Sequence, residues 1–227
     1  MTRIVALDTS GRWGGVALLQ AGPPGEALLV AEAGLILGDS HAVHALALLG
    51  ALLAEAGWSR EDVDAYAATR GPGSFTGIRV GLGTVRGLGL ASSRPCLGVG
   101  TLEAAAEAFG PAAGERVPLL PAGRGEVYGA RFDAEDCPPE EIVAPWLGPP
   151  ERALAGGSGE PVIFGPGADE VAARLRDAGW RGPARRAPTS IAAAAGRLAL
   201  LRLGSGARDG DGLSPLYLRP PDAQLAR

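Results

Sequence analysis

Short apolar runs open the chain, and helical stripes follow them. Residues 4–7 and 15–19 are two such runs, joined by the turn formers Asp8-Thr9-Ser10-Gly11; the pattern predicts a hairpin. Gly22-Pro23-Pro24-Gly25 turns the chain again, and 27–36 reads as a third strand, so the first part is an antiparallel meander. Apolar residues then recur at helical spacing over 41–56, with Asp39 or Ser40 as cap and Gly57 as terminator. A strand at 64–69, the turn Gly71-Pro72-Gly73-Ser74 and a helix over 75–91 come next, then a strand at 96–99 and a helix at 101–109. The order to this point is β-β-β-α-β-α-β-α. Beyond Pro111, strands are predicted at 117–120 and 127–132, a strand at 162–164, and helices at 169–178 and 191–203. Residues 137–161 form a Pro- and Gly-rich stretch to which no element is assigned, and the tail from Gly204 reads as loop. No fixed repeat period appears.

Two of these helices have unusual surfaces. The 41–56 helix carries no charge between His44 and Glu55, and its apolar residues form two stripes. One holds Val43, Leu46, Ala47, Gly50 and Leu53; the other holds Leu48, Leu49 and Leu52. A helix lying on the surface of a lone domain shows one stripe, so two predict burial on both sides. The 75–91 helix contains Gly77, Gly81, Gly83, Gly87 and Gly89, each costing up to ~1 kcal/mol relative to Ala. Gly77 with Gly81 and Gly83 with Gly87 are spaced i,i+4, which lets another backbone come close. Its only charges, Arg79 and Arg86, share one face and are expected at the rim of an interface or against partner acids.

Composition narrows the chemistry. The 227 residues are 46% hydrophobic and 20% charged, enough for a real core. All 21 basic residues are Arg, against 25 acids, for a formal charge of −4. A broad electrostatic grip on nucleic acid needs clustered positive charge, and only Arg181, Arg185 and Arg186 offer a local patch. Without Lys there is no Walker lysine, Schiff-base lysine or Ser–Lys dyad. Cys96 and Cys137 match no zinc or CxxC spacing. No leader pattern precedes the first strand and no run approaches the ~20 apolar residues of a membrane span, so a cytoplasmic location is expected.

Candidate sites are few. Asp8-Thr9-Ser10 could hold an acid near a metal and hydroxyls near phosphate, or simply form a hairpin turn. The loop 71–77 enters a helix, where backbone N–H groups can meet an anion. It is no Walker loop, and Gly81-x-Gly83-x-x-x-Gly87 lies within a helix and is no dinucleotide fingerprint. His41 and His44, the only histidines, share a helix face, but no carboxylate pair or Cys nearby completes a metal site. No His remains for a Ser–His hydrolase. Gly123-Arg124-Gly125-Glu126 could form an ion pair or a charged rim, and Gly165-Pro166-Gly167 a structural turn.

The run Thr69-Arg70-Gly71-Pro72-Gly73-Ser74-Phe75-Thr76-Gly77-Ile78-Arg79-Val80-Gly81 resembles the signature of the TsaB family, also called YeaZ-like. Leu7-Asp8-Thr9-Ser10, Ser40-His41, Arg124-Gly125-Glu126-Val127-Tyr128 and Pro215-Leu216-Tyr217-Leu218-Arg219 resemble it too, in order along nearly the whole chain. The resemblance implies an α/β fold of the actin/Hsp70/sugar-kinase class, with two βββαβα-type lobes, the second reduced. The expected division is 1–102 and 103–227, with the last helix packing back on the first lobe. Asp8, Thr9 and Ser10 would then face the cleft between lobes as a remnant phosphate loop.

The same resemblance implies a non-catalytic subunit for the synthesis of N6-threonylcarbamoyladenosine at tRNA position 37, with no cofactor and no metal of its own. Its partner would be the catalytic paralogue TsaD, with the ATPase TsaE in the complex, tRNA met only indirectly, and a homodimer where TsaD is absent. TsaD carries a His-rich metal motif after the Gly-rich helix; residues 95–105 here contain no His and only Glu103 as an acid. Many family members have an acid before the Arg-Gly-Glu stretch, where this chain has Pro121-Ala122-Gly123. The partner interface is expected at His41, His44, Leu48, Leu52, Phe75, Ile78, Arg79, Gly81, Leu82, Val85 and Arg86. The alternative is a small ATP-dependent kinase or a metallopeptidase-like enzyme of the same superfamily.

Overall fold

A computed structural model describes residues 1–23, 26–36, 41–157, 161–166, 168–182, 185, 190–207, 210 and 212–219. Strands β1 (Arg3–Asp8), β2 (Trp13–Ala21) and β3 (Ala27–Ile36) form the expected antiparallel meander. Helix α1 (His41–Glu55) leads to β4 (Ala65–Thr69), α2 (Phe75–Ser92) to β5 (Cys96–Val99), and α3 (Thr101–Phe109) follows. The sheet order is β3-β2-β1-β4-β5, with β4 parallel to both β1 and β5. Asp39 and Ser40, offered as caps for α1, lie outside the described residues.

The second half repeats this winding with one strand fewer. Strands β6 (Arg116–Gly123), β7 (Glu126–Phe132) and β8 (Glu141–Gly148) are antiparallel, and β9 (Val162–Phe164) returns parallel to β6. The order β8-β7-β6-β9 therefore matches β3-β2-β1-β4. Two mixed sheets built to one plan, the second reduced, are the actin/Hsp70/sugar-kinase type of α/β fold. Strand β8 falls within 137–161, where the sequence pattern assigned no element. Pro145 and Gly148 disguise it, and its edge position tolerates a proline that a central strand would reject.

The chain divides into two compact units, 1–104 with 189–216, and 105–188 with 217–227. Helix α5 (Ala192–Gly204) thus belongs to the first unit, where it packs on β1, β2 and β4. Gly196 permits this, because a Cβ there would press on Leu19 and Ala6. Glu32 of β3 fixes the start of α5 by accepting from Ser190 Oγ at 2.7 Å and the Ala193 N–H at 3.2 Å. On the other side, Leu49, Leu53, Ile78, Leu82 and Val85 join Val5, Leu7, Val16 and Tyr66 in one core.

The second unit has its own core of Val117, Leu119, Val127, Trp146, Ile163, Leu175 and Trp180. Helix α4 (Ala168–Asp177) supplies Leu175 to it. Buried Arg116 and Arg131 are satisfied by Asp133 and Glu115 together with backbone carbonyls. Arg219 reaches Glu126 and the Ala122 carbonyl, so the Arg-Gly-Glu stretch is tied to the Tyr-Leu-Arg tail within this unit.

Candidate partner-binding face and the loop packed against it

The loop after β1 is sealed. Asp8, Thr9 and Ser10 are 4%, 1% and 5% exposed. Asp8 Oδ1 accepts from the Ser10 N–H at 3.0 Å, Ser10 Oγ at 2.6 Å and Thr69 Oγ1 at 2.7 Å. Burial pushes the Asp8 carboxyl above its ordinary 3.8; the bonds from Ser10 and Thr69 oppose the shift and the charge of Glu32 adds to it. The hydroxyl of Thr9 donates to the Gly77 carbonyl at 2.7 Å, and the Ser74 N–H donates to the Ser10 carbonyl at 2.7 Å. The three hydroxyl and carboxyl groups offered for phosphate chemistry thus hold β1, β4 and the start of α2 together.

Helix α2 begins here because Ser74 caps it, its Oγ accepting from the Gly77 N–H at 3.2 Å. The Gly71 N–H is taken by Thr101 Oγ1 at 3.1 Å. Gly77 and Gly81 exist for the loop: a Cβ at Gly77 would strike the Thr9 carbonyl oxygen, and one at Gly81 would strike Thr9 Oγ1. They admit this chain's own backbone, so Gly81 leaves the expected partner interface. Ile78, Leu82 and Val85, 0%, 6% and 0% exposed, leave it too, because they fill the core between α2 and the sheet.

The opposite side of α2 is open. Thr76, Arg79, Gly83, Arg86, Gly87 and Leu90 are exposed, Leu90 at 79%. Arg79 lies over the Phe75 ring at 3.9 Å. Beside α2, helix α1 exposes His44, Leu46, Ala47, Gly50, Ala51 and Ala54. Leu48 and Leu52 are half-buried against the core, and Ala45, Leu49 and Leu53 point in, so Leu49 and Leu53, assigned to separate stripes from the sequence, share the buried side. The side chain of His41 lies outside the described residues. At Gly50, Gly83 and Gly87 a Cβ would meet nothing within 4 Å. Sequence reasoning did not name Ala54 and Leu90, and it named Leu46 and Ala47 only as members of an apolar stripe. The phase of α2 could have separated its two glycine pairs, since Arg79 and Arg86 share a side with Gly83 and Gly87, and Gly77 and Gly81 fall on the other.

Other candidates resolve into structural contacts. Glu103 is paired with Arg202, whose guanidinium also donates to the Gly98 carbonyl at 3.0 Å. Gly165 sits against the Leu119 backbone; Gly167 and Arg186 lie outside the described residues. Arg181 donates to the carbonyls of Arg176 and Trp180. Among the described residues, no three of His, Cys, Asp and Glu come together to hold a metal, and no helix is long and apolar enough to cross a membrane.

The family model of TsaD, tRNA N6-adenosine threonylcarbamoyltransferase, matches residues 36–164. A tRNA threonylcarbamoyladenosine biosynthesis protein TsaB of Escherichia coli is 34% identical over 136 residues, 59% of this chain and 56% of that one. A solved structure from Pseudomonas aeruginosa, described as YeaZ, superposes with a TM-score of 0.78 at 29% identity, covering 96% of this chain and all of that one. The chain belongs to the TsaB/YeaZ family. An uncharacterized protein of Mycobacterium tuberculosis, 34% identical over 174 residues, extends the likeness to 77% of this chain and 72% of its own length. The chain spans about half the length of the curated TsaB relatives it matches. Within the TsaB/YeaZ frame, the signature run is the β4–α2 connection, and its conformation depends on the Asp8–Ser10 loop.

Proposed function

We propose that this chain is a TsaB-type subunit in the synthesis of tRNA threonylcarbamoyladenosine, and that it acts by binding a TsaD-type threonylcarbamoyltransferase without performing chemistry itself. The observation that carries this reading is the exposed α1/α2 face, apolar and lined by small residues, open at Gly50, Gly83 and Gly87. Contiguous exposed apolar surface on adjacent helices marks an interaction site, and small side chains let partner helices approach closely. The same face would close on a second copy where the transferase is absent. TsaE and tRNA would be met through the transferase, in the cytoplasm. The internal use of Asp8 and Glu103 supports a binding role over a kinase or metallopeptidase one.

Gly87→Trp is the direct test, since it adds bulk where nothing stands within 4 Å and leaves the core untouched. Overpacking costs ~1–3 kcal/mol per site in a packed core, and a rigid helical interface should respond alike. The variant should keep the wild-type circular dichroism and thermal midpoint while losing co-purification with the transferase and support of reconstituted tRNA modification. Wild-type binding and modification by a folded Gly87→Trp would refute the assignment of this face.

A further inference from the structure

We infer that the segment 210–216 is a positioning strap: by docking on β5 and on the Arg70–Gly71 connection it sets the entry of α2, and with it the partner face. The inference rests on the reading of the α1/α2 face as the partner surface. Helix α5 lies on one side of the first sheet, α1 and α2 on the other. After α5 the chain passes the β5 edge, and Leu213, 5% exposed, enters the core on the α1/α2 side. An edge strand leaves backbone groups without partners; here the Gly210 N–H donates to the Cys96 carbonyl at 2.9 Å. Gly98 and Gly212 then meet backbone to backbone. A Cβ on either would strike the carbonyl oxygen of the other, and Gly212 has a φ of +67°, a conformation open to glycine without steric cost.

The strap finishes on the signature run. The Leu216 N–H donates to the Arg70 carbonyl at 2.7 Å. The Arg70 N–H donates to the Val99 carbonyl at 2.8 Å, and the Gly71 carbonyl accepts from the Thr101 N–H at 2.9 Å. With Thr101 Oγ1 on the Gly71 N–H, every backbone group of the connection is satisfied, and only the Arg70 carbonyl depends on the strap. Gly71 seats it, because a Cβ there would press on the Leu216 carbonyl oxygen. Three residues further on, Ser74 caps α2. A shift at Arg70 and Gly71 therefore carries the first turn of α2 with it, including exposed Thr76 and Arg79. A face already held in place loses less freedom on binding, and by linkage a bound partner must hold the strap in return.

The test uses variants of the whole chain, each checked by circular dichroism. Gly98→Ala pushes the Gly212 carbonyl away, and Leu216→Pro removes the N–H that the Arg70 carbonyl accepts. Gly196→Ala is the control, since it presses on Leu19 and Ala6 under α5 and strains the same unit without touching the strap. Binding to the transferase subunit of the same genome is measured by calorimetry well below each thermal midpoint, and amide exchange by NMR. Gly98→Ala and Leu216→Pro should weaken binding about fivefold or more. They should also speed exchange of the Ile78 amide, which donates to the Ser74 carbonyl at 2.9 Å. Gly196→Ala should bind as wild type does, and added transferase should slow exchange of the Gly210 and Leu216 amides in the wild-type chain. Wild-type affinity in either folded strap variant, equal weakening in the Gly196→Ala control, or Gly210 and Leu216 exchange indifferent to the transferase would overturn the inference. A wild-type chain that does not bind the transferase would instead sink the proposed function, and Ile78 exchange in the strap variants would still decide whether the strap sets the α2 entry.

Discussion

Gly77 and Gly83 are the same residue in the same helix, yet they do opposite work. The first makes room for the Thr9 carbonyl, and the second lies open. Replacing Gly77 by Ala should force the Asp8–Ser10 loop away from α2 and disturb the bond from Thr9 Oγ1 to the Gly77 carbonyl. A loss of about 1–3 kcal/mol is expected, as for overpacking elsewhere. Gly83→Ala meets nothing and gains helix propensity, so a stabilisation of up to ~1 kcal/mol should follow. Thermal melts of the two variants should shift in opposite directions. A Gly77→Ala melt at or above wild type would show that the close approach is not constraining.

At the scale of elements, the Asp8 carboxylate ties β1 to β4 through Thr69 and holds the Ser10 turn from which α2 is hung. Its folded pKa lies above the ordinary 3.8. The folded state thus binds this proton more tightly than the unfolded chain. That contribution to stability is full below 3.8 and is lost as pH rises through the folded pKa. Asp8→Asn keeps an acceptor and removes the ionisation. Its stability relative to wild type should be flat below 3.8 and improve as pH rises above it; the depressed carboxyls of Asp62 and Asp133 are common to both proteins and cancel. Urea titrations at about pH 3.5 and about pH 7 measure the difference, and an equal value at both would contradict it. The elements were legible where one periodicity dominated: the meander, α1, α2 and α5 follow from apolar spacing alone. Strand β8 was hidden because prolines in edge strands look like loop residues. The site was half legible. A helix without charge from Ala45 to Ala54 beside a glycine-rich one suggested a partner surface, but which glycine faces which neighbour depends on the Thr9 loop, which is 68 residues from Gly77.

At the scale of the whole molecule, one sheet plan is used twice, and the first use is completed by a helix from the far end of the sequence. Eight residues of α5 are buried, among them Leu198, Ala199 and Leu200, against a sheet whose other face already holds α1 and α2. A chain cut after residue 188 should leave β1 and β2 uncovered on that face. Hydrogen exchange should then find their amides unprotected while β6 and β7 keep their protection. Full protection of β1 in the truncated chain would mean that α5 is dispensable. The arrangement also sets a timetable for synthesis. The ribosome must make the whole of 105–188 before α5 emerges, about 5–20 s of translation for some 100 residues. The first strands made are thus among the last to be roofed, and through that interval the nascent chain carries an apolar sheet face that needs shielding from its neighbours.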